Sequence, residues 1–197
     1  MDWSASMAVS PIGFLTALLL VTIWHEAGHL LVARLVGIPV KLIALGLGPA
    51  VWKRSGDDGV NLVLRALPTG MSIGVPGRRD ADGRLRRPIR HDILMAAGGP
   101  VASFLLSLGL VGLAALIGPA AGIYPWLLAT AALSTLMALL NLLPLPGLDG
   151  GHLLVLGIAT LGFQLSPQRE VALHRYGLRL LALVVAVIAV VRMAGIF

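Results

Sequence analysis

Apolar residues run through this chain in long blocks, and the polar residues are gathered between them. The first block covers about 11–36. It opens with Ser10 and Pro11, a cap and first helical position, and it stops at Gly37 and Pro39. Crossing a bilayer takes about 20 residues, so the block predicts a tilted span. Further spans are expected at about 93–117, 124–143 and 178–196. The only long polar segment is the loop 37–92. Inside it, the short runs KLIALGLGPAVW and VNLVLRAL flank the turn signal SGDDG, which reads as a β-hairpin, with MSIGV as a possible third strand. Bare strand edges do not face lipid, so such a sheet lies at the interface or lines a protein cavity. After the third span, the stretch from Asn141 to His152 (NLLPLPGLDGGH) must interrupt the helix, because two prolines and three glycines fall within it. The apolar run that follows, 153–165, is too short to cross and suggests a re-entrant or interfacial helix. SPQRE then forms a polar break. The fold class expected is an all-α polytopic membrane protein of about four transmembrane helices. A small membrane-associated β-hairpin or sheet follows the first span, and a broken helix carries the LDG motif. All of it forms a single domain, 1–197.

Composition agrees with that pattern. The chain is 57% hydrophobic and 12% charged, against roughly 25% charged in ordinary soluble domains. Its mean hydropathy is +0.92. Ten of the 15 Lys and Arg lie in the loop 37–92. The positive-inside rule then puts that loop in the cytoplasm and the N-terminus outside. Four crossings return the C-terminus to the outside as well. Topology thus accounts for the net charge of +6, and no nucleic acid partner is expected. The basic stretch 78–90 is expected on the anionic inner leaflet. The absence of Cys excludes thiolate metal ligands and a cysteine nucleophile. The first ten residues lack a positive n-region, so an uncleaved first span is expected rather than a signal peptide.

Three ionisable side chains interrupt the first span: His25, Glu26 and His29. Such groups at membrane depth are costly and usually functional. His25 and His29 are four apart, so on a helix they share a face and can bind one metal ion, while Glu26 can act as general base on a water. A catalytic zinc site wants three protein ligands. Asp149 is the candidate third, because the first and third spans run the same way and end on the same, cytoplasmic side. Its alternative role is to cap the following helix. Asn141, at the end of the third span, could donate a hydrogen bond to a developing oxyanion or to the substrate backbone; a capping or packing role is the alternative. His152 reads as a supporting or interfacial residue rather than a fourth ligand. His91 and His174 flank spans and are assigned no chemistry.

With HEAGH on one span and NLLPLPGLDGGH after another, the chain resembles the site-2 protease family of intramembrane zinc metalloproteases, most nearly the bacterial envelope-stress type that cuts an anti-sigma factor. Asn141, Pro144, Pro146, Leu148, Asp149 and Gly150 fit the family's second motif. LGLGPAVWKR, LPTG and GGPVAS extend the likeness along the chain. The resemblance implies one zinc ion on His25, His29 and Asp149, with Glu26 activating water and Asn141 assisting the substrate. It implies an extended substrate segment paired on a strand edge, and regulated cleavage of a membrane-spanning regulatory protein. The setting would be a bacterial cytoplasmic (inner) membrane, with the active site toward the cytoplasmic side. Ser103 stands where many relatives have Asn, and LPTGMSI departs from the usual double glycine and Tyr. The outer turn at 118–122 leaves no place for PDZ domains, and no nucleotide-sensing domain is expected at the C-terminus. Substrate screening would then fall to a separate adaptor or site-1 protease. A divalent-metal transporter and an inactive metal-binding scaffold are the competing readings; the lack of internal repeats weighs against the first.

Overall fold

The computed structural model describes residues 10–78, 84–163 and 165–193. Expectations that fall on the first nine residues, on Arg79 or on the last four residues lie outside this range. Helix α1 spans Pro11–Leu35. Ser10 caps it, its Oγ accepting from the Gly13 N–H at 2.9 Å, with Pro11 in the first turn where a missing N–H costs nothing. At the other end Gly37 takes φ +74°, and the Ile38 N–H returns to the Ala33 carbonyl at 2.8 Å. That is a glycine-terminated helix stop.

Strands β1 (Leu42–Ser55) and β2 (Asn61–Gly74) follow. Each is bent, so two strands supply four short paired segments. Residues 50–55 and 61–65 form the expected antiparallel hairpin, from Ser55↔Asn61 to Ala50↔Arg65. The turn is closed by Gly56 N–H to Val60 O and by the Asp58 carboxylate accepting from Val60 N–H. Residues 42–45 do not continue that pairing. They lie parallel to 61–64 (Leu42↔Asn61, Leu45↔Leu64) and antiparallel to 71–74 (Leu42↔Gly74, Leu45↔Met71). The first run is therefore two strand segments joined at a corner, not one. Gly46 at φ +92° and Gly48 at φ +88° make that corner, and Pro49 follows. The outer segments of the sheet are 50–55 and 71–74.

Helix α2 spans Ile89–Ile117 and begins a turn earlier than the hydropathy pattern suggests. Asp92 explains the extension. In the first turn its carboxylate complements the helix N-terminus, and it receives Arg87 Nη2 at 2.6 Å and Nε at 2.9 Å. Arg87 also donates to the Pro76 carbonyl at 3.0 Å, tying the end of the β segment to α2. Helix α3 spans Tyr124–Asn141 and is pinned to α1 by Trp126 Nε1 donating to the Gly13 carbonyl at 2.9 Å. It ends two residues sooner than the apolar run, as the residue before Pro144 is pushed out of helical conformation.

Among the described residues three helices, α1, α2 and α3, are long and apolar enough to cross a membrane. Their outward faces carry Ile12, Leu105, Leu108 and Leu116, the last 86% exposed. Lipid, not water, suits such surfaces, and the chain is an integral membrane protein.

The chain divides into two compact units, Met1–Leu140 and Asn141–Phe197. In the second, α4 spans Asp149–Thr160 and α5 spans Pro167–Met193. The expected polar break at SPQRE is instead the start of α5. Ser166 accepts from the Glu170 N–H through its carbonyl, and Pro167 occupies the first turn. Helix α5 therefore begins well before residue 178. Gly177 packs against the Pro146 carbonyl and Leu178 against Gly147, which takes φ +101°.

Candidate metal centre

Small residues let α1 and α2 approach closely. The buried residues of α1 include Gly13, Ala17, Val21, His25 and Gly28, spaced by three or four residues, and Ala33 beyond them. A Cβ on Gly98 would lie 2.8 Å from the Gly28 carbonyl oxygen, and one on Gly28 would collide with the Gly98 carbonyl. The helices are antiparallel at this crossing: Trp24 Nε1 donates to the Ala102 carbonyl at 3.0 Å, while Val32 reaches Gly98.

Backbone contact of that kind brings three positions of α2 against the two histidines. Met95, Gly99 and Ser103 are four apart and so share one face. The Met95 carbonyl meets His29 Nδ1 at 2.7 Å. Ser103 Oγ meets His25 Nδ1 at 2.9 Å. Between them, a Cβ on Gly99 would lie 2.6 Å from His25 Nε2 and closer still to His29 Nε2. Both Nε2 atoms thus converge on the bare Cα of Gly99.

This arrangement selects the nitrogen that can bind a metal. A carbonyl only accepts, so His29 Nδ1 carries the proton and its Nε2 presents a lone pair. The Gly99 N–H also approaches that Nδ1, at 3.3 Å, but the shorter carbonyl contact decides the tautomer. Metal-bound histidines typically donate their other N–H to just such a partner. The rings meet edge to face at 81° with centroids 5.0 Å apart, and both Nε2 edges lie beside Gly99. His25 is 3% exposed, while Glu26 and His29 are half-buried. The residues fit a divalent cation.

Asn141 is the last residue of α3, with the interruption following at once. Asp149, half-buried, opens α4, with Leu148 at the cap position. Gly150 and Gly151 behind it lie against the carbonyls of Leu142, Leu143 and Leu145, contacts that no Cβ could share.

The second unit holds another cluster of metal-binding residue types, His152, Glu170 and His174. Its geometry does not suit an ion. The two rings are stacked, 3.5 Å between centroids at 17°, so a shared ion would sit far out of both ring planes. His174 Nδ1 also accepts the Gly147 N–H at 3.0 Å, which leaves the proton on Nε2. Through that bond His174 ties α5 to the interruption at Gly147. Sequence reasoning assigned His174 no role; its place on the buried face of α5, with Gly177 one turn on, was the available signal.

A family model for peptidase family M50 matches residues 13–120 and 118–185. The chain belongs to peptidase family M50, the site-2 protease family. This M50 chain is 32% identical over 103 residues to a Xylella fastidiosa protein named "Putative zinc metalloprotease", a match covering 48% of this chain and 23% of that one. A Vibrio cholerae protein of the same name is 29% identical over 115 residues, covering 54% and 25%. An Arabidopsis thaliana protein named "Probable membrane metalloprotease ARASP2, chloroplastic" is 33% identical over 106 residues, covering 49% and 23%. The matches thus span about a quarter of the length of these relatives. Among solved structures, the site-2 protease from Methanocaldococcus jannaschii is similar in fold, with a TM-score of 0.61 at 18% identity, covering 95% of this chain and 72% of that one.

Proposed function

We propose that this M50 chain is a zinc-dependent intramembrane endopeptidase. The observation that carries the reading is the convergence of His25 and His29 Nε2 over Gly99, with their Nδ1 atoms facing Ser103 Oγ and the Met95 carbonyl. His25, His29 and Asp149 would hold the ion. Their donor set of two imidazoles and a carboxylate is one that zinc favours. Asp149 follows a Pro/Gly-rich interruption and opens a helix, so its carboxylate is not tied to the register of α3. Bound zinc supplies Lewis-acid chemistry, polarising a carbonyl and acidifying a water. The Glu26 carboxylate takes the proton from the attacking water and returns it to the departing amide nitrogen. Asn141 donates a hydrogen bond to the substrate carbonyl or backbone.

A peptide in helical form hides its carbonyls. The substrate, a transmembrane segment of a regulatory membrane protein such as an anti-sigma factor, would therefore be unwound and added to an outer segment of the sheet, 50–55 or 71–74. In the proposed topology, the basic loop 37–92 and the active site face the cytoplasm and the N-terminus is outside. A fourth crossing is made by the C-terminal part of α5, and a bacterial inner membrane is the setting. One intramembrane protease domain comprises 1–197, and a separate adaptor or site-1 protease screens substrates.

The test uses purified protein in lipid with a membrane-spanning substrate. Glu26→Gln is expected to retain zinc and to lose cleavage by at least about a hundredfold, within the usual contribution of a general base. Undiminished cleavage would overturn the mechanism, and metal flux across liposomes abolished by the same change would favour a transporter. Asp149→Ala is expected to lower zinc occupancy; unchanged occupancy removes it from the ligand set.

A further inference from the structure

The two histidines of α1 are held by different chemistry. His29 faces a backbone carbonyl, which no substitution of the side chain at 95 can delete. His25 faces a side chain, Ser103 Oγ, at 2.9 Å. Ser103 is fully buried, and a buried hydroxyl must be paired. Its own carbonyl accepts from Ser134 Oγ of α3 at 2.8 Å, and Ser134 is fully buried too. Ser107 and Thr135 continue the seam between α2 and α3 with a hydroxyl pair at 2.7 Å. The hydroxyl of Ser103 is thus turned toward α1, while its backbone is fastened to α3.

We infer that Ser103 is the positioning residue for His25: its Oγ accepts the Nδ1 proton, fixes the tautomer and aims the Nε2 lone pair past Gly99 at the metal position. This rests on the zinc reading above. Without Ser103 Oγ, neutral His25 can carry its proton on either nitrogen, and the Nε2–H form cannot bind an ion. A role in touching substrate is not available to this hydroxyl, because no face of Ser103 is accessible and its oxygen is already engaged with His25.

The experiment measures zinc affinity by chelator competition on the purified full chain, with cobalt as a spectroscopic probe. Ser103→Ala is expected to bind one ion with affinity lowered about 10- to 100-fold, the usual effect of losing such a supporting partner, and to alter the cobalt spectrum. Ser103→Thr, which keeps a hydroxyl, is expected to recover most of the loss. Ser107→Ala deletes a buried hydroxyl one turn along α2, paired with Thr135 rather than with a histidine, and is expected to leave affinity unchanged. Wild-type affinity in Ser103→Ala, or an equal loss in Ala and Thr, would overturn the inference. His25→Ala separates the two levels of the argument. If it retains wild-type affinity, the zinc reading fails and takes this inference with it. If it loses binding while Ser103→Ala does not, only the role of Ser103 falls.

Discussion

His29 and Met95 meet across α1 and α2 at 2.7 Å, an imidazole N–H against a backbone carbonyl. A carbonyl can only accept, so the contact places the proton on Nδ1 and turns the Nε2 edge toward Gly99. The same pairing ties α1 to α2 through a backbone atom, which a side-chain substitution at 95 does not remove.

Gly99 is then the position where metal binding and stability should separate. The nearest atoms an added Cβ would meet are the tips of the two histidine rings, side-chain ends rather than backbone. Alanine is also the better helix former by about 1 kcal/mol. Gly99→Ala is expected to fold at least as stably as wild type while its zinc affinity falls by a factor of ten or more. Thermal unfolding and zinc competition on the same preparation check the point; retained affinity would mean that the two Nε2 atoms do not define the ion's place.

Gly28 offers the contrasting case. Its missing Cβ faces the Gly98 carbonyl and the Ala102 methyl, which are backbone and near-backbone atoms that cannot move aside. Gly28→Ala should force α1 and α2 apart at a cost of about 1–3 kcal/mol, the usual range for overpacking. Zinc affinity should drop along with stability. An alanine variant as stable as wild type would show that the helices tolerate a wider crossing.

Arg87 and Asp92 form a buried ion pair with side chains only 10% and 9% exposed. Removing Arg87 from such a pair leaves a buried carboxylate without its counter-charge, which costs about 3 kcal/mol or more. Arg87→Ala is expected to destabilise by about that much and to loosen the attachment at Pro76. Replacing both residues by apolar side chains of similar size should recover most of the loss. Equal instability of the single and double variants in denaturant unfolding would assign the effect to the Pro76 contact instead.

The sequence made the helices and the histidine face readable because both depend on local spacing. Ser10-Pro11 starts α1 and Gly37 ends it, and a four-residue interval puts His25 and His29 on one face. What escaped was set by contacts distant in sequence. The split of β1 into two segments depends on residues 42–45 finding 71–74, a pairing that the glycines at 46 and 48 permit but do not dictate. Helix α2 starts early because Arg87 neutralises Asp92. The roles of Met95, Gly99 and Ser103 appear only when α2 is laid antiparallel on α1, although their four-residue spacing was visible beforehand. The start of α5 is local by contrast: Ser166-Pro167, with Glu170 following, is a helix start within what reads as a polar break.

His174 carries the pH dependence of the second unit. Desolvation by burial lowers its pKa from the ordinary 6.5, and the nearby Glu170 opposes that only in part. The ring is held neutral by geometry as well, because its Nδ1 accepts the Gly147 N–H and protonation would set two N–H groups against each other. Below pH 6.5 the unfolded chain takes up a proton that the folded chain resists. The stabilisation is therefore complete above about pH 6.5 and is lost as the pH falls toward the depressed folded value. Wild-type protein in detergent is expected to lose thermal stability between pH 7 and pH 5. His174→Gln, which offers a neutral acceptor to Gly147, should flatten that fall, whereas His174→Leu should cost about 1–3 kcal/mol even at pH 8 by stranding the N–H. An unchanged acid slope in His174→Gln would place the titrating group elsewhere, and Leu as stable as wild type would show that the Gly147 N–H finds another partner.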